Sequence, residues 1–267
     1  NGRQDRWERG IPGVVVSNGR DTVRTNSLGQ YSLNVDDETV IFVTKPSGYR
    51  LPVDENNLPR FYYIHQPAGS PEMEYPGVAP TGPHPPSIDF PLLAAQEQDS
   101  FDVLVFGDTQ SRNDAELGYL RDEVLSEVVG ISAAFAIVLG DIAYDDLSIY
   151  PRNNELLGRI GTPVFNAIGN HDTNYDSPDN HYKAETYKRY FGPTYYSFDY
   201  GDAHFLVLDT VYYQGGGHSR YTGGIHQQQL AWIQNDLSMV PRDKLIVVMS
   251  HIEWTNIRHN DFGVLME

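Results

Sequence analysis

The sequence contains no cysteine among its 267 residues. This absence excludes disulfides, cysteine nucleophiles, thiolate zinc sites and iron–sulfur clusters. It leaves the cellular compartment open, because exported and internal proteins can both lack cysteine. Any bound metal would therefore take oxygen or imidazole ligands.

Long apolar runs are also missing, and none approaches the ~18–20 residues that a membrane-spanning helix needs. The composition, 40% hydrophobic and 21% charged, is typical of a globular protein with a sizeable core. The first residue is Asn1, with neither an initiator Met nor an apolar leader. We therefore expect a processed, trimmed or partial chain.

Positive charge is scarce, with 19 Lys and Arg against 36 Asp and Glu, and the net charge is −17. Because like charges repel, we expect no nucleic-acid scaffold as a partner and no binding to an anionic membrane. An anionic substrate would need a local positive centre, which bound metal ions could supply. An acidic, cysteine-free chain with a processed N-terminus favours the periplasm or the cell exterior.

The first 65 residues predict a small β-sandwich, because short β-branched and aromatic runs alternate with turn residues. These runs cover residues 14–16, 31–35, 40–43 and 61–64. Residues 10–52 resemble the transthyretin-like domain of carboxypeptidase regulatory modules, with the hairpin pattern of that family at residues 23–33. Residues 66–98 are rich in proline, which predicts a linker, and their apolar side chains predict packing on the main domain.

Residues 99–267 alternate between strand-like and helix-like patterns, which predicts an α/β (α+β) domain. Four apolar runs, at 102–106, 135–139, 164–168 and 245–249, are each followed by metal-binding residue types. Because open α/β sheets place their chemistry at strand ends, we expect several strands of one sheet to bring these side chains to a shared edge. The side chains are those of Asp108, Gln110, Asp141, Asn170, His171, Asp172 and His251.

These residue types suit the hydrolysis of a phosphate ester by a pair of divalent metals ~3.5–4 Å apart, bridged by hydroxide and a carboxylate. Asp141 could bridge the two metals. Asp108 and Gln110 could face one of them, and Asn170 and His251 could complete the other.

Two further residues have predicted catalytic roles beside these ligands. His171 could hydrogen-bond a phosphoryl oxygen or protonate the leaving oxygen. Asp172 could orient that imidazole, as a carboxylate does for other catalytic histidines. His204 lies in an apolar run, which predicts a core histidine, and His218 in a glycine-rich loop could border the site.

The ordered set Asp-x-Gln, Gly-Asp, Gly-Asn-His-Asp and His resembles the calcineurin-like metallophosphoesterases over residues 100–251. The resemblance implies two packed mixed β-sheets flanked by helices, divalent metal cofactors and a small phosphorylated substrate. It implies ligand roles for Asp108, Asp141, Asn170 and His251, and a catalytic role for His171. Monoester, diester and pyrophosphate substrates all stay open, and so does self-association.

Two departures from the family pattern bear on function. Gln110 stands where the family usually has His, and this harder ligand favours Mn²⁺ ahead of Mg²⁺, Zn²⁺ or iron. The last family motif, Gly-His-x-His, does not occur in the 267 residues. The chain is then either a piece of a longer protein or has an incomplete site. The second reading leads to the alternative of a non-catalytic surface or self-assembling protein that keeps the fold.

One shorter match involves an aromatic residue. Gly140-Asp141-Ile142-Ala143-Tyr144 matches the Gly-Asp-x-x-Tyr motif of purple acid phosphatases, in which the Tyr binds ferric iron. Those enzymes have Asp-x-Gly at the first motif, whereas this chain has Asp-x-Gln. We therefore predict Tyr144 to be a pocket residue that contacts substrate together with Asn170 and His171, with iron ligation by Tyr144 as the minor alternative.

Overall fold

A computed structural model describes residues 7–218 and 220–253, together with the backbone of residues 257–259. The N-terminal part is β-rich, as the sequence predicts. Its main sheet is antiparallel, with strand order β2-β1-β3-β5, formed by β1 (Val15–Ser17), β2 (Thr22–Arg24), β3 (Thr39–Thr44) and β5 (Tyr62–His65). A second pair joins β4 (Tyr49–Arg50) to β6 (Leu93–Ala94).

The predicted strand at residues 31–35 is not formed. Its side chains do alternate between half-buried and exposed, which is why the pattern indicated a strand. The apolar side is covered by the Pro-rich segment instead of a sheet: Tyr31 Oη donates to the carbonyl of Ile88 at 2.7 Å, and its ring stacks on Phe90. The two-sheet sandwich predicted for residues 1–65 is therefore not confirmed.

The main domain begins with a parallel sheet in the order β7-β8-β9. The first crossover carries helix α1, which begins after Asn113, whose side chain accepts from two backbone amides at the helix start. The chain then continues through a π-helical segment (Leu120–Leu125), which the sequence pattern did not indicate. The elements are β7 (Val103–Phe106), β8 (Phe135–Leu139), β9 (Val164–Ala167), α1 (Asp114–Tyr119), α2 (Ser126–Val128), the 3-10 turns Leu147–Ile149 and Gly158–Ile160, and α3 (Tyr150–Leu157).

The second half of the domain forms two further three-stranded sheets, in the orders β10-β11-β14 and β12-β13-β15. Strands β10 and β11 are antiparallel, whereas β11 and β14 are parallel. The elements are α4 (Glu185–Phe191), β10 (Tyr196–Tyr200), β11 (Ala203–Leu208), β12 (Val211–Tyr213), β13 (Tyr221–Gly224), α5 (Gln227–Ser238), β14 (Leu245–Ser250) and β15 (Ile257–His259). The expectation that all four ligand-bearing runs lie in one sheet is wrong, because β14 belongs to a different sheet from β7, β8 and β9.

The N-terminal sheet and the main domain share one hydrophobic core. Phe42 of β3 meets Trp232 of α5 edge-on, with ring centroids 6.0 Å apart. Phe61 packs against Phe165 of β9 and Tyr196 of β10, at 6.4 and 4.8 Å. Because burial of such aromatic side chains dominates core energetics, the two parts stabilise each other.

The Pro-rich segment lies against the main domain at several points. Gln66 Nε2 donates to Glu185 Oε2 at 2.8 Å, and Asn174 Nδ2 donates to the carbonyl of Tyr75 at 2.8 Å. The amide of Gly201 donates to Glu97 Oε2 at 2.9 Å. Among the described residues, none of the helices combines the length and apolar character needed to cross a bilayer.

Candidate functional site

The first feature of the site is its backbone. Asp108, Gln110 and Asp141 all have left-handed conformations, with φ of 43°, 44° and 49°. Such φ values are uncommon outside glycine, and each costs on the order of 1–2 kcal/mol. Strain of this kind persists where the surrounding structure enforces it, which is frequent at functional sites.

The loops after β7, β8 and β9 are held together closely. The amide of Gln110 donates to the carbonyl of Asp141 at 2.8 Å, and the amide of His171 donates to Asp141 Oδ1 at 2.9 Å. Gly140 has φ of 90°, and a Cβ there would lie 2.8 Å from Gly169 Cα and from His251 Cβ. The close approach of these loops therefore requires glycine at this position.

The five predicted metal ligands converge at this point. Ligand atoms of Asp108, Asp141 and His251 all lie within 4.8 Å of one another. Nε2 of His251 is 3.3 Å from Asp141 Oδ1 and 3.0 Å from Asn170 Oδ1. Gln110 Nε2 donates to Asp141 Oδ2 at 2.6 Å. The two sheets therefore bring carboxylate, amide and imidazole groups to one place.

The chemistry of these groups fits a divalent metal ion. Oxygen and imidazole donors without thiolates suit hard and borderline cations such as Mn²⁺ and Mg²⁺. Asp141 is only 3% exposed, so its negative charge is poorly screened by water. Burial, together with the nearby charge of Asp141, raises the pKa of Asp172 to about 6. The local excess of negative charge is what a bound cation would neutralise.

His171 is held by two neighbours. Its Nδ1 lies 2.6 Å from Asp145 Oδ1, and its ring stacks on that of Tyr144 with a centroid distance of 4.4 Å. These contacts leave Nε2 directed toward the ligand cluster, 4.0 Å from Asp141 Oδ2. Tyr144, predicted to contact substrate, thus lies on the wall of the site beside the imidazole.

Asp172 does not have the position predicted for it. It is fully buried, and its carboxylate accepts hydrogen bonds from the amides of Ile142, Ala143 and Gly169 and from Tyr150 Oη. These contacts tie the loop after β8 to the loop after β9. The structure therefore corrects the expectation that Asp172 orients His171.

Asp145 is the carboxylate that contacts His171, and the sequence motifs did not single it out. Its neighbour Asp146 has a different role, because its Oδ1 accepts from the amide of Ser148 at 3.0 Å and caps a 3-10 turn.

Comparison with known proteins agrees with this geometry. The family model described as "Calcineurin-like phosphoesterase" matches residues 101–265, and the model for the N-terminal domain of these proteins matches residues 1–75. The chain belongs to the calcineurin-like phosphoesterase family. The predicted α/β class with a β-rich N-terminal domain is thereby confirmed.

Other comparisons gave less. A purple acid phosphatase, PPD1 from yellow lupin (Lupinus luteus) seeds, is similar with a TM-score of 0.41 and 15% sequence identity. The match covers 91% of this chain and 46% of that one, so this chain spans less than half the length of that structure. A search of curated proteins found no match.

The outer edge of the candidate site includes His218, as its position in the glycine-rich loop suggested. Its Nδ1 lies 3.3 Å from Asp145 Oδ2, and its ring packs against Tyr175 at 4.3 Å. Asp145 therefore stands between a half-buried histidine, His171, and an exposed one. His204, in contrast, is buried between Asp199 and Asp236, away from the ligand cluster.

Proposed function

We propose that this chain hydrolyses the phosphoester bond of a small phosphorylated substrate in a metal-dependent reaction. The observation that carries the proposal is the convergence of Asp108, Asp141 and His251 within 4.8 Å at the ends of strands from two sheets. The family to which the chain belongs supports the reaction class. An acidic chain without cysteine is compatible with a periplasmic or extracellular location, which we include in the proposal.

The residues present would hold two divalent ions, with Mn²⁺ favoured by the oxygen-rich donor set. Asp141 would bridge them, Asp108 and Gln110 would complete one site, and Asn170 and His251 the other. When bound, such a pair would supply a bridging hydroxide as the nucleophile and neutralise the phosphoryl oxygens.

His171 is the residue placed to supply a proton. Asp145 Oδ1 lies 2.6 Å from His171 Nδ1 and fixes the orientation of the ring, so that Nε2 faces the ligand cluster. That proton would pass to the leaving oxygen as the phosphorus–oxygen bond breaks. Tyr144 stacks on the imidazole of His171 and holds the two rings nearly parallel.

Removing metal should remove activity. Protein stripped with a chelator should not hydrolyse 4-nitrophenyl phosphate or its bis-ester, and added Mn²⁺ should restore turnover as two equivalents bind. Elemental analysis would measure the stoichiometry, with Mg²⁺ and Zn²⁺ as comparison ions. Finding no bound metal in the presence of excess Mn²⁺ would refute the proposal. Two bound equivalents without turnover of any phosphoester would favour the non-catalytic alternative.

Asp145→Asn should lower kcat by on the order of 100-fold, because His171 Nδ1 loses the carboxylate that orients the imidazole. The loss should be larger for alkyl esters than for 4-nitrophenyl esters, since only the poorer leaving group needs a proton. Asp146→Asn is the matched control, because its side chain caps a 3-10 turn. Equal kcat in the two variants would contradict the assignment.

A further inference from the structure

A stack of three side chains lies beside the catalytic imidazole. The guanidinium carbon of Arg112 is 4.5 Å from the centre of the Tyr144 ring, and the His171 ring is 4.4 Å from the same ring. Both groups contact the same ring, so Tyr144 is the middle member of the stack.

The backbone fixes this order. Ser111 and Ala143 form a bridge between the loops after β7 and β8, and the amide of Tyr144 donates to the carbonyl of Ser111 at 3.1 Å. Arg112 and Tyr144 are the next residue in each loop. Ser111 is only 3% exposed, so the paired segment is anchored in the protein and the stack does not depend on the side chains alone.

Arg112 has donor capacity to spare. Its side chain is 60% exposed, and Nη1 lies 3.5 Å from Glu116 Oε1. An exposed contact of that length contributes little. The guanidinium carries five N–H donors in a planar fork, which is suited to bidentate binding of a carboxylate or phosphate. The chain has a net charge of −17, so an exposed cation beside the site would attract an anionic ligand that the rest of the chain repels.

The stack lies on the side from which the leaving group departs. His171 Nε2 is the proposed proton donor to the leaving oxygen, so the leaving group must lie next to this imidazole. The Tyr144 ring already contacts Arg112 and His171, which leaves less of it available for stacking on a substrate ring. Recognition of the leaving group at this edge would therefore be ionic, through Arg112.

We propose that Arg112 selects phosphoesters whose leaving group carries a second anionic group. This group would be separated from the scissile oxygen by roughly the distance between His171 and Arg112 across the stack. The inference rests on the proposed function, since His171 defines the leaving-group side. Arg112 would contact the substrate directly and act as a specificity-determining residue.

Three aryl phosphates of similar leaving-group pKa test the proposal: 4-methylphenyl, 4-(carboxymethyl)phenyl and 4-(phosphonomethyl)phenyl phosphate. With Mn²⁺, the wild-type protein should show kcat/KM about 10-fold higher for the anionic members, in line with one charge-assisted hydrogen bond. Arg112→Ala should reduce the ratio to near one, and Arg112→Lys should give an intermediate value. A comparison of the carboxymethyl and phosphonomethyl substrates shows which anionic group Arg112 prefers.

Arg121→Ala is the matched control, because Arg121 is also an exposed arginine paired with an acid, Asp122, and lies outside the stack. It should leave the ratio unchanged. No preference in the wild-type protein, or a preference that survives in Arg112→Ala, would overturn the inference.

A binding measurement separates this inference from the proposed function. Calorimetry with the matching benzylphosphonates should show about 10-fold tighter binding of the anionic members to the wild-type protein and equal binding to Arg112→Ala. If no aryl phosphate is hydrolysed, the proposed function fails while the affinity ratio still decides the role of Arg112. Equal affinities in the wild-type protein would refute that role.

Discussion

Replacing Asp141 by Asn is expected to lower kcat of the Mn²⁺-loaded protein by on the order of 1,000-fold or more. Asp141 is the buried carboxylate around which the site is arranged. Gln110 Nε2 and the amide of His171 donate to it, and His251 Nε2 lies 3.3 Å away. The substitution removes the charge with the least change of shape.

The same substitution should not weaken the metal-free fold. The charge of Asp141 contributes to the raised pKa of Asp172, after burial, so neutralising it relieves a repulsion between buried groups. Asn also tolerates the left-handed backbone at this position. In chelator at pH 7 we expect the free energy of unfolding to rise by ~1 kcal/mol, in keeping with the usual conflict between stability and activity.

Urea denaturation and steady-state kinetics on one preparation measure both effects. Asp102→Asn serves as the control, because Asp102 is an exposed carboxylate just before β7. It should change neither quantity appreciably. Retained hydrolysis in Asp141→Asn would remove the basis for the proposed metal bridge. A large loss of metal-free stability would show that the charge supports the fold.

His204→Leu is expected to destabilise the protein by ~3–5 kcal/mol, as does removal of one partner from a buried ion pair. His204 is 2% exposed, and its ring nitrogens lie 2.7 Å from Asp199 Oδ1 and 2.8 Å from Asp236 Oδ2. Leucine would leave Asp236, itself 1% exposed, without its cation. The control is His181→Leu, because His181 pairs with Glu38 at 2.6 Å but is 60% exposed, and such pairs contribute about 1 kcal/mol or less.

The stability of the wild-type protein should also depend on pH through His204. Burial lowers the pKa of this imidazole, but hydrogen bonds and charge from Asp199 and Asp236 outweigh burial and raise the pKa to about 9, from an ordinary value of 6.5. The folded state therefore holds the proton more tightly. The contribution is complete below pH 6.5 and is lost as pH rises toward 9, by about 3 kcal/mol in all.

Denaturation at a series of pH values would show this loss as a slope between pH 6.5 and 9 that is absent in His204→Leu. His181→Leu should keep the wild-type slope. Parallel curves for the wild-type protein and His204→Leu would show that the imidazole is not protonated in the folded state.

Most of the strands could be predicted from the sequence because the burial of their side chains follows a simple pattern along the chain. In β8, a continuous apolar run from Phe135 to Leu139, four of the five side chains are buried, and the strand has the predicted limits. The start of α1 is also a local matter, because the side chain of Asn113 caps the helix with bonds to amides two and three residues along the chain. Residues 31–35 were predicted to be a strand because apolar and polar side chains alternate along them. This alternation does not reveal whether the segment pairs with a neighbouring strand or, as here, is covered on its apolar side by the Pro-rich segment.

The order of the ligand types was predictable because each follows a strand directly. The sheet that carries His251 could not be predicted, because the pairing of strands from distant segments gives no signal in the local sequence. The choice between Asp145 and Asp172 was not predictable either. Both lie near His171 in the fold, and which one faces the imidazole depends on backbone direction in two loops, including the left-handed φ of 66° at Asp145.

The shared core of the N-terminal sheet and the phosphoesterase sheets has an evolutionary consequence. Phe61 lies against β9, the strand that leads into Asn170 and His171. A substitution in the N-terminal domain can therefore alter the packing beneath the loop that carries these two residues. The two sequence families matched along this chain are thus not interchangeable building blocks. Selection on one must accommodate the other, and recombination that separated them would expose the aromatic side chains of the shared core, such as Phe165 and Tyr196, to water.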